Sequence, residues 1–314
     1  MIDWLHYRAQ NNSGNIFLRV NNKEYSFSDI NNIAYDRALA LIDFGVKKDS
    51  KVGIFLSNSL DFLESYLGCY KIHATSVILN YKWKKSEIYK ALKIAPPDFI
   101  ICTWRDKELF ADFKIPIIFI EELSKSFGSC YPNNINNNID KDTIQSILFT
   151  SGSTGVPKPV CLTYNNFYSS SQKWEKAIKL NSQDQYLLCL PLYHISGLAI
   201  IMRALHLGFS ININMKIKKQ FINSDSSNVM SIVPTLLISS IADKKILEYF
   251  QKMRCIILSG GLISKKTLLD CKKNNLNIFV SYGMTETCSS VCGFWLLKEN
   301  MSTQSVGYPF DGVN

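Results

Sequence analysis

Only four histidines occur in 314 residues, which leaves little material for a histidine-rich metal centre. No C-x-x-C pair is present, so the spacing of structural zinc sites and of thioredoxin-type redox pairs is missing. Cys288 and Cys292 stand four apart and could share a helix face, but two thiols without a nearby histidine read as ordinary buried side chains. No apolar run approaches membrane-spanning length, so no membrane segment is expected. The first ten residues, MIDWLHYRAQ, carry an acid and no long apolar centre, and they are not expected to be a secretory signal. Charged residues are sparse at 19%, and the net charge of +9 is scattered among asparagines. This excludes the clustered basic face of a nucleic-acid binder and leaves a modest attraction for small anions. The nine cysteines are odd in number, and Cys69, Cys102, Cys189 and Cys255 lie in apolar or mixed settings. That pattern predicts reduced thiols and a cytoplasmic protein.

What is present is a large apolar fraction, 46% of the chain, enough for a substantial core divided between two lobes. After a short helix over 2–11, strands at 16–20 and 24–27 flank Asn21-Asn22, and Ser28 is read as the cap of a helix ending near Gly45. Apolar runs at 52–56, 74–79, 99–102 and 115–120 then alternate with helical patterns that start near Ser59 and Ser86. The alternation resumes with strands at 186–190, 229–233, 255–258 and 278–280 and helices at 165–178, 197–207, 235–241 and 264–273. Strand, helix, strand in succession predicts an α/β fold with largely parallel sheets flanked by helices. The expected lobes are roughly 46–175 for one and roughly 1–45 plus 186–302 for the other. The asparagine-rich segment 133–138 is read as a surface connection.

The most informative stretch is 147–160, ILFTSGSTGVPKPV. A buried strand runs into Thr150, Ser151, Gly152, Ser153, Thr154 and Gly155, where glycines admit close approach and hydroxyls and amides supply donors. Lys158 adds a mobile charge, so the loop suits a polyphosphate. A phosphate loop of the G-x-x-x-x-G-K-[ST] type is excluded, because Lys158 stands three residues after Gly155, between two prolines. A second stretch, 282–287, follows an apolar strand: the ring of Tyr282 could cover a purine, the Thr285 hydroxyl could meet a phosphate, and Glu286 could hold Mg2+. A third is 191–205, in which His194 and Ser196 lead into a run where Arg203 is the one charged residue. A buried guanidinium needs an anionic or strongly polar partner, whereas a snorkelling Arg203 at the helix edge would need none. Ser196 and Arg203 are two helical turns apart and can face one pocket.

TSGSTGVPK together with YGMTE resembles the signatures of the adenylate-forming superfamily, which activates carboxylic acids with ATP. The matches span 147–310, with a looser pattern over 24–102. The resemblance implies two stacked lobes. It also implies ATP and AMP contacts from the 150–155 loop, Lys158, Tyr282, Gly283 and the glycine turn Ser259, Gly260 and Gly261. Thr285 is implied near the α-phosphate and Glu286, with Thr150, at the metal, while His194 would gate or polarise the carboxylate pocket. The turn at 305–309, SVGYP, resembles a further family turn without a catalytic group. One departure is Pro159, where the family has a small residue; it removes a backbone donor and stiffens the loop exit.

HISGLAIIMR with SIVPT resembles, within that superfamily, the o-succinylbenzoate CoA ligases of menaquinone synthesis. Ser196, Arg203 and Ser231 are thereby implied around the second, non-reacting carboxylate. The implied activity is an acid:CoA ligase with ATP and Mg2+ as cofactors and CoA as co-substrate; its partners are small molecules rather than nucleic acid or membrane, and a homodimer is allowed. The alternatives are another acyl- or aryl-CoA ligase, an amino-acid-activating domain, or a catalytically silent nucleotide-binding lobe. The family's later ribose-binding aspartate and its C-terminal lid with an adenylating lysine have no counterpart before Asn314. The 314 residues are therefore expected to bind nucleotide with little or no turnover of their own.

Overall fold

Short aliphatic runs separated by capped helices produce two sheets, each belonging to its own compact unit. The structure, a computed structural model, describes residues 1–123, 138–151, 156–214, 217, 222, 225–299 and 305–313. In chain order the strands are β1 (Ile16–Val20), β2 (Lys23–Ser26), β3 (Lys51–Ile54), β4 (Thr75–Ile78), β5 (Phe99–Cys102), β6 (Ile117–Phe119), β7 (Ile144–Ser151) and β8 (Pro157–Thr163). They continue as β9 (Gln185–Leu188), β10 (Ser210–Ile213), β11 (Val229–Ile232), β12 (Cys255–Leu258), β13 (Ile278–Met284), β14 (Ser289–Trp295) and β15 (Tyr308–Pro309). The helices are α1 (Trp4–Asn11), α2 (Phe27–Asp43), α3 (Leu60–Lys71), α4 (Lys85–Ile94), α5 (Ile120–Leu123), α6 (Tyr164–Ile178), α7 (Ile195–Leu207), α8 (Pro234–Ile241), α9 (Lys244–Gln251) and α10 (Lys265–Lys273).

The first unit comprises Met1–Ile16, Tyr25–Asn166 and Leu192–His194. Its six-stranded sheet has the order β6-β5-β3-β4-β7-β8, parallel except for the last pair, β7 with β8. Val77, Ile100, Ile88, Leu92, Phe110 and Phe149 pack together in its core. Ser59 caps α3 by accepting from the Phe62 amide at 3.2 Å. The cap of α2 is Ser26 rather than the expected Ser28. Asp29 reaches back to the Ser26 amide at 2.8 Å while Ser26 Oγ accepts from the Asp29 amide at 3.1 Å, a reciprocal arrangement that satisfies two otherwise orphaned donors.

The stretch 1–45, expected wholly in the other lobe, divides between the units, and the reason is a buried charge. Lys71, 1% exposed at the end of α3, donates to Asp3 Oδ2 and Asn31 Oδ1, both at 2.7 Å, and its ammonium lies 4.3 Å over the Tyr35 ring. These contacts bind α1 and α2 to α3. Only Phe17–Glu24, around the β1–β2 turn, joins the second unit. Asn21 and Asn22 in that turn both take positive φ, 50° and 62°, as a two-residue hairpin of this type demands.

The second unit comprises Phe17–Glu24, Phe167–Pro191 and Ile195–Asn314. Its nine-stranded sheet has the order β15-β14-β13-β12-β11-β9-β10-β1-β2. The block β13-β12-β11-β9-β10-β1 is parallel throughout, so all these strands deliver their carboxyl ends to one edge. Leu187, Met230, Ile256, Leu258, Phe250 and Ile278 fill the core beneath it. Asp184, just before β9, takes a forked contact from Arg254, just before β12, with Nε at 2.6 Å from Oδ1. Both sheets are thus mostly parallel and flanked by helices, as the βα alternation predicts. The sequence reading omitted β8, β10, β14, β15, α5 and α9. The residues 133–137 of the asparagine-rich segment lie outside the described residues, while Asn138 makes an isolated bridge with Ile2.

Removing one member of a buried ion pair strands the other, a loss of about 3–5 kcal/mol. Asp3→Ala is expected to destabilise the first unit by that amount in urea unfolding, and replacing both partners by apolar residues (Asp3→Leu with Lys71→Met) is expected to recover most of it.

Candidate active site

The two ends of the glycine- and hydroxyl-rich stretch stand on paired strands. Strand β7 continues two residues beyond the expected end at Phe149, and β8 returns antiparallel with Thr150 opposite Lys158 and Ser151 opposite Pro157. Directly opposed residues send their side chains to the same face, so the half-buried Thr150 and the exposed Lys158 are neighbours on one face at the mouth of the loop. Gly152, Ser153, Thr154 and Gly155 lie outside the described residues. Pro157 and Pro159 are accommodated because β8 is the edge of its sheet, with one side free of any ladder among the described residues. Phe149, opposite Pro159, packs edge-on against Trp83 with centroids 5.5 Å apart.

His194 closes the first unit's segment Leu192–His194. The Leu192 amide donates to Asn58 Oδ1 at 2.8 Å, Tyr193 packs on Tyr81 at 5.4 Å, and the His194 ring lies 4.5 Å from that of Tyr193. The side chain retains an open edge to solvent. Loss of water on its packed side, with Lys82 adding repulsion, holds its pKa below the ordinary histidine value. It is therefore neutral at pH 7, able to accept a hydrogen bond from a ligand or to donate one.

In the second unit two neighbouring parallel strands, β12 and β13, end in polar turns. After β12, the Ser259 amide donates to the carbonyl of Ile232 on β11 at 3.2 Å, and Gly260 and Gly261 follow in the open, Gly260 at φ 79°. Strand β13 runs past the expected end at Val280 to Met284, because β14 pairs with it antiparallel through a bulge at Tyr282/Gly283. Tyr282 is 47% exposed, Glu286 is exposed and Thr285 is half-buried, on a 3-10 turn, Thr285–Thr287. Thr287 locks that turn: its hydroxyl accepts from the Met284 amide at 2.9 Å and lies 2.7 Å from the Ser289 carbonyl. Position 283 admits glycine alone, since a Cβ there would sit 2.2 Å from the Ser289 carbonyl oxygen. At the start of α7, a Cβ on Gly197 would meet the Pro191 carbonyl oxygen at 2.3 Å. These two glycines keep Tyr282 and Ser196 where they stand.

Arg203 is buried, 2% exposed, in α7. Its Nη2 donates to Ser289 Oγ at 2.8 Å, and its guanidinium carbon lies 5.0 Å over the Trp174 ring. Desolvation lowers its pKa, an effect opposed by the neighbouring Tyr186 and Cys288. Among the described residues no carboxylate lies within ion-pair distance of it, and its Nε has no acceptor. Tyr186 on β9 in turn shares a 2.5 Å hydrogen bond with Ser231 on β11. Arg203 and Ser231 are thus brought together through Tyr186. Ser196, half-buried, stands two turns before Arg203 on the same helix. Trp174, Tyr186 and Ser289 were not singled out in the sequence. The first two carry only the apolar signal of a core position, and Ser289 had one cue, its place just after TETC.

Polar turns at the carboxyl ends of parallel strands, with a buried guanidinium that meets no carboxylate among the described residues, are features of α/β proteins that bind ligands at strand ends. The chain belongs to the AMP-binding enzyme family, whose profile matches residues 5–314. It is 30% identical over 301 residues to 2-succinylbenzoate–CoA ligase of Geobacillus sp. (strain WCH70), a match that takes in 92% of this chain and 59% of the relative. The o-succinylbenzoate CoA synthetase of Bacillus subtilis, solved in complex with the acyl-adenylate intermediate OSB-AMP, matches 99% of this chain and 64% of its own at 26% identity, with a TM-score of 0.90. The same Bacillus subtilis enzyme solved with ATP and magnesium ion also matches with a TM-score of 0.90 at 26% identity, over 99% of this chain and 66% of that one. The resemblance and fold class expected from the motifs are thereby borne out. The chain spans 59–60% of the length of the curated relatives it matches.

Among the described residues no group of three or more His, Cys, Asp or Glu could hold a metal on its own, and no helix is long and apolar enough to cross a membrane. The exposed carboxylate of Glu286 fits the alternative in which Mg2+ uses one protein carboxylate and takes its other ligands from phosphates and water.

The histidine resonance of His194 is expected to titrate with a midpoint below 6.5 in an NMR pH series, and Lys82→Ala is expected to move it upward. Because the folded protein resists this proton, the unfolded chain takes it first on acidification. The stability contribution present above pH 6.5 is accordingly lost as the pH falls.

Proposed function

We propose that the chain supplies the substrate-binding and nucleotide-binding part of an AMP-forming acid:CoA ligase, acting on o-succinylbenzoate. The observation that carries the substrate assignment is Arg203, a buried guanidinium with no carboxylate beside it among the described residues. An uncompensated buried charge is costly, and a ligand carboxylate would compensate it. Similarity to 2-succinylbenzoate–CoA ligases supports the same reading.

In this reading the reacting carboxylate of the acid attacks the α-phosphorus of ATP, the bond to the bridging oxygen breaks, and pyrophosphate leaves with that electron pair. The CoA thiol, losing its proton, then attacks the acyl carbon and AMP departs. No protein nucleophile is needed, so the chain's task is positioning and charge stabilisation. Lys158 and the hydroxyls of Thr150, Ser151, Ser153 and Thr154, with the amides of Gly152 and Gly155, hold the phosphates. Tyr282 covers the adenine, with Ser259, Gly260, Gly261 and Gly283 lining its edge by their backbone. Thr285 meets the α-phosphate, and neutral His194 orients the reacting carboxylate. Glu286, with Thr150, would hold Mg2+, which when bound offsets phosphate charge. Ser196, Arg203 and Ser231 take the second carboxylate.

Lys158→Ala is expected to weaken ATP binding by about 1.5–3 kcal/mol, the scale of a charge-assisted contact. Calorimetry with Mg2+ measures it, and unchanged affinity removes Lys158 from the phosphate site. Arg203→Leu keeps apolar packing and deletes the charge. It is expected to weaken o-succinylbenzoate at least tenfold more than a monoacid analogue lacking the second carboxylate. Equal losses on both acids would turn the assignment to another acyl- or aryl-CoA ligase.

A further inference from the structure

The cluster around Arg203 has a direction. An arginine donates hydrogen bonds and accepts none. Ser289 Oγ therefore accepts from Nη2, 2.8 Å away, and keeps its own proton to give. The Tyr186 hydroxyl, fully buried and beside the same cation, is stabilised with its oxygen turned toward the guanidinium and its proton turned away. The group that can receive that proton is Ser231 Oγ at 2.5 Å, for which Tyr186 is the sole side-chain partner among the described residues. Ser231, having accepted, retains its hydroxyl proton as well. Two serine protons and Arg203 Nε, which has no acceptor, are thus left uncommitted, and all three are donors.

We propose that Tyr186 is a positioning residue that sets this polarity: by donating to Ser231 it takes up one of that hydroxyl's two acceptor sites and leaves its proton free to give, so the cluster favours an anionic acceptor over a neutral group of the same shape. This rests on the reading that Arg203 and Ser231 meet the second carboxylate of the acid, and it names the residue that makes that recognition selective. Without the tyrosine hydroxyl, Ser231 is free to rotate and to accept, and a neutral amide could then satisfy it. The phenol acts through Ser231 and has no contact of its own with the reacting atoms. Its ring is held independently, stacked on Phe209 with centroids 5.7 Å apart, so Tyr186→Phe removes the hydroxyl and leaves the packing.

The test compares, by calorimetry on the chain as it stands with an ATP analogue present, binding of o-succinylbenzoate and of the analogue whose second carboxylate is a primary amide. For the unaltered chain a preference of at least tenfold for the diacid is expected. Tyr186→Phe is expected to reduce that preference about tenfold, the scale of a hydrogen bond to a charged group, while nucleotide affinity and thermal midpoint stay close to those of the unaltered chain. Ser231→Ala is expected to do the same. In the double variant Tyr186→Phe should add nothing to Ser231→Ala, since one effect passes through the other. Additive losses, or a preference untouched by Tyr186→Phe, would overturn the proposal while leaving the carboxylate reading in place. If the unaltered chain itself does not discriminate acid from amide, the carboxylate reading falls and the proposal falls with it. Should Tyr186→Phe fold poorly, Ser231→Cys, a weak donor of similar size, decides the matter: retained preference would refute a donor role for position 231.

Discussion

A buried guanidinium that meets no carboxylate among the described residues is the constraint around which the second unit's buried polar residues are arranged. Leaving Arg203 bare in that setting would cost several kcal/mol. The protein lowers the cost with weak partners: the Trp174 face at 5.0 Å, a serine hydroxyl at 2.8 Å and a neighbouring phenol. None of these neutralises the charge. The charge is thus held out of water by weak partners alone.

In the first unit the paired strands β7 and β8 carry the two ends of the glycine- and hydroxyl-rich stretch, and strand pairing enforces their register. Seven paired positions, from Ile144 opposite Thr163 to Ser151 opposite Pro157, fix where Lys158 stands with respect to Thr150. Two prolines in a strand would be disruptive at the centre of a sheet. At the edge they are tolerated, and they discourage another chain from adding to it. Elsewhere in the same unit a buried cation is fully answered, Lys71 by Asp3, Asn31 and the Tyr35 ring. The contrast with Arg203 is informative: where a charge has a structural task, this protein supplies its carboxylate from its own chain.

Much was legible beforehand because it was local. Glycine and hydroxyl spacing at 150–155, the tyrosine, threonine and glutamate after β13, and a lone arginine in an apolar helix are all patterns of neighbours in sequence. So are the caps and the β-α alternation that announce a parallel sheet. Even the misplaced cap was an error of two residues within a local motif, settled when Asp29 proved to reach back to Ser26 rather than leave Ser28 at the boundary.

What only the tertiary structure decided involves partners far apart in the chain. That Thr150 stands opposite Lys158 depended on 157–163 pairing with β7 at the sheet edge. The division of 1–45 between units depended on Asp3 and Lys71, 68 residues apart, meeting out of water. The identity of Arg203's neighbours depended on α6, β9 and the β13–β14 turn converging on α7. Composition and periodicity could mark Trp174 and Tyr186 only as core residues, since an aromatic ring buried for packing and one buried to orient a charge leave the same trace in a sequence. The sequence alone determined which chemical groups were available and which local elements they would ride on; long-range packing determined which of them face one another, because desolvation and hydrogen-bond direction act between atoms in space and not along the chain.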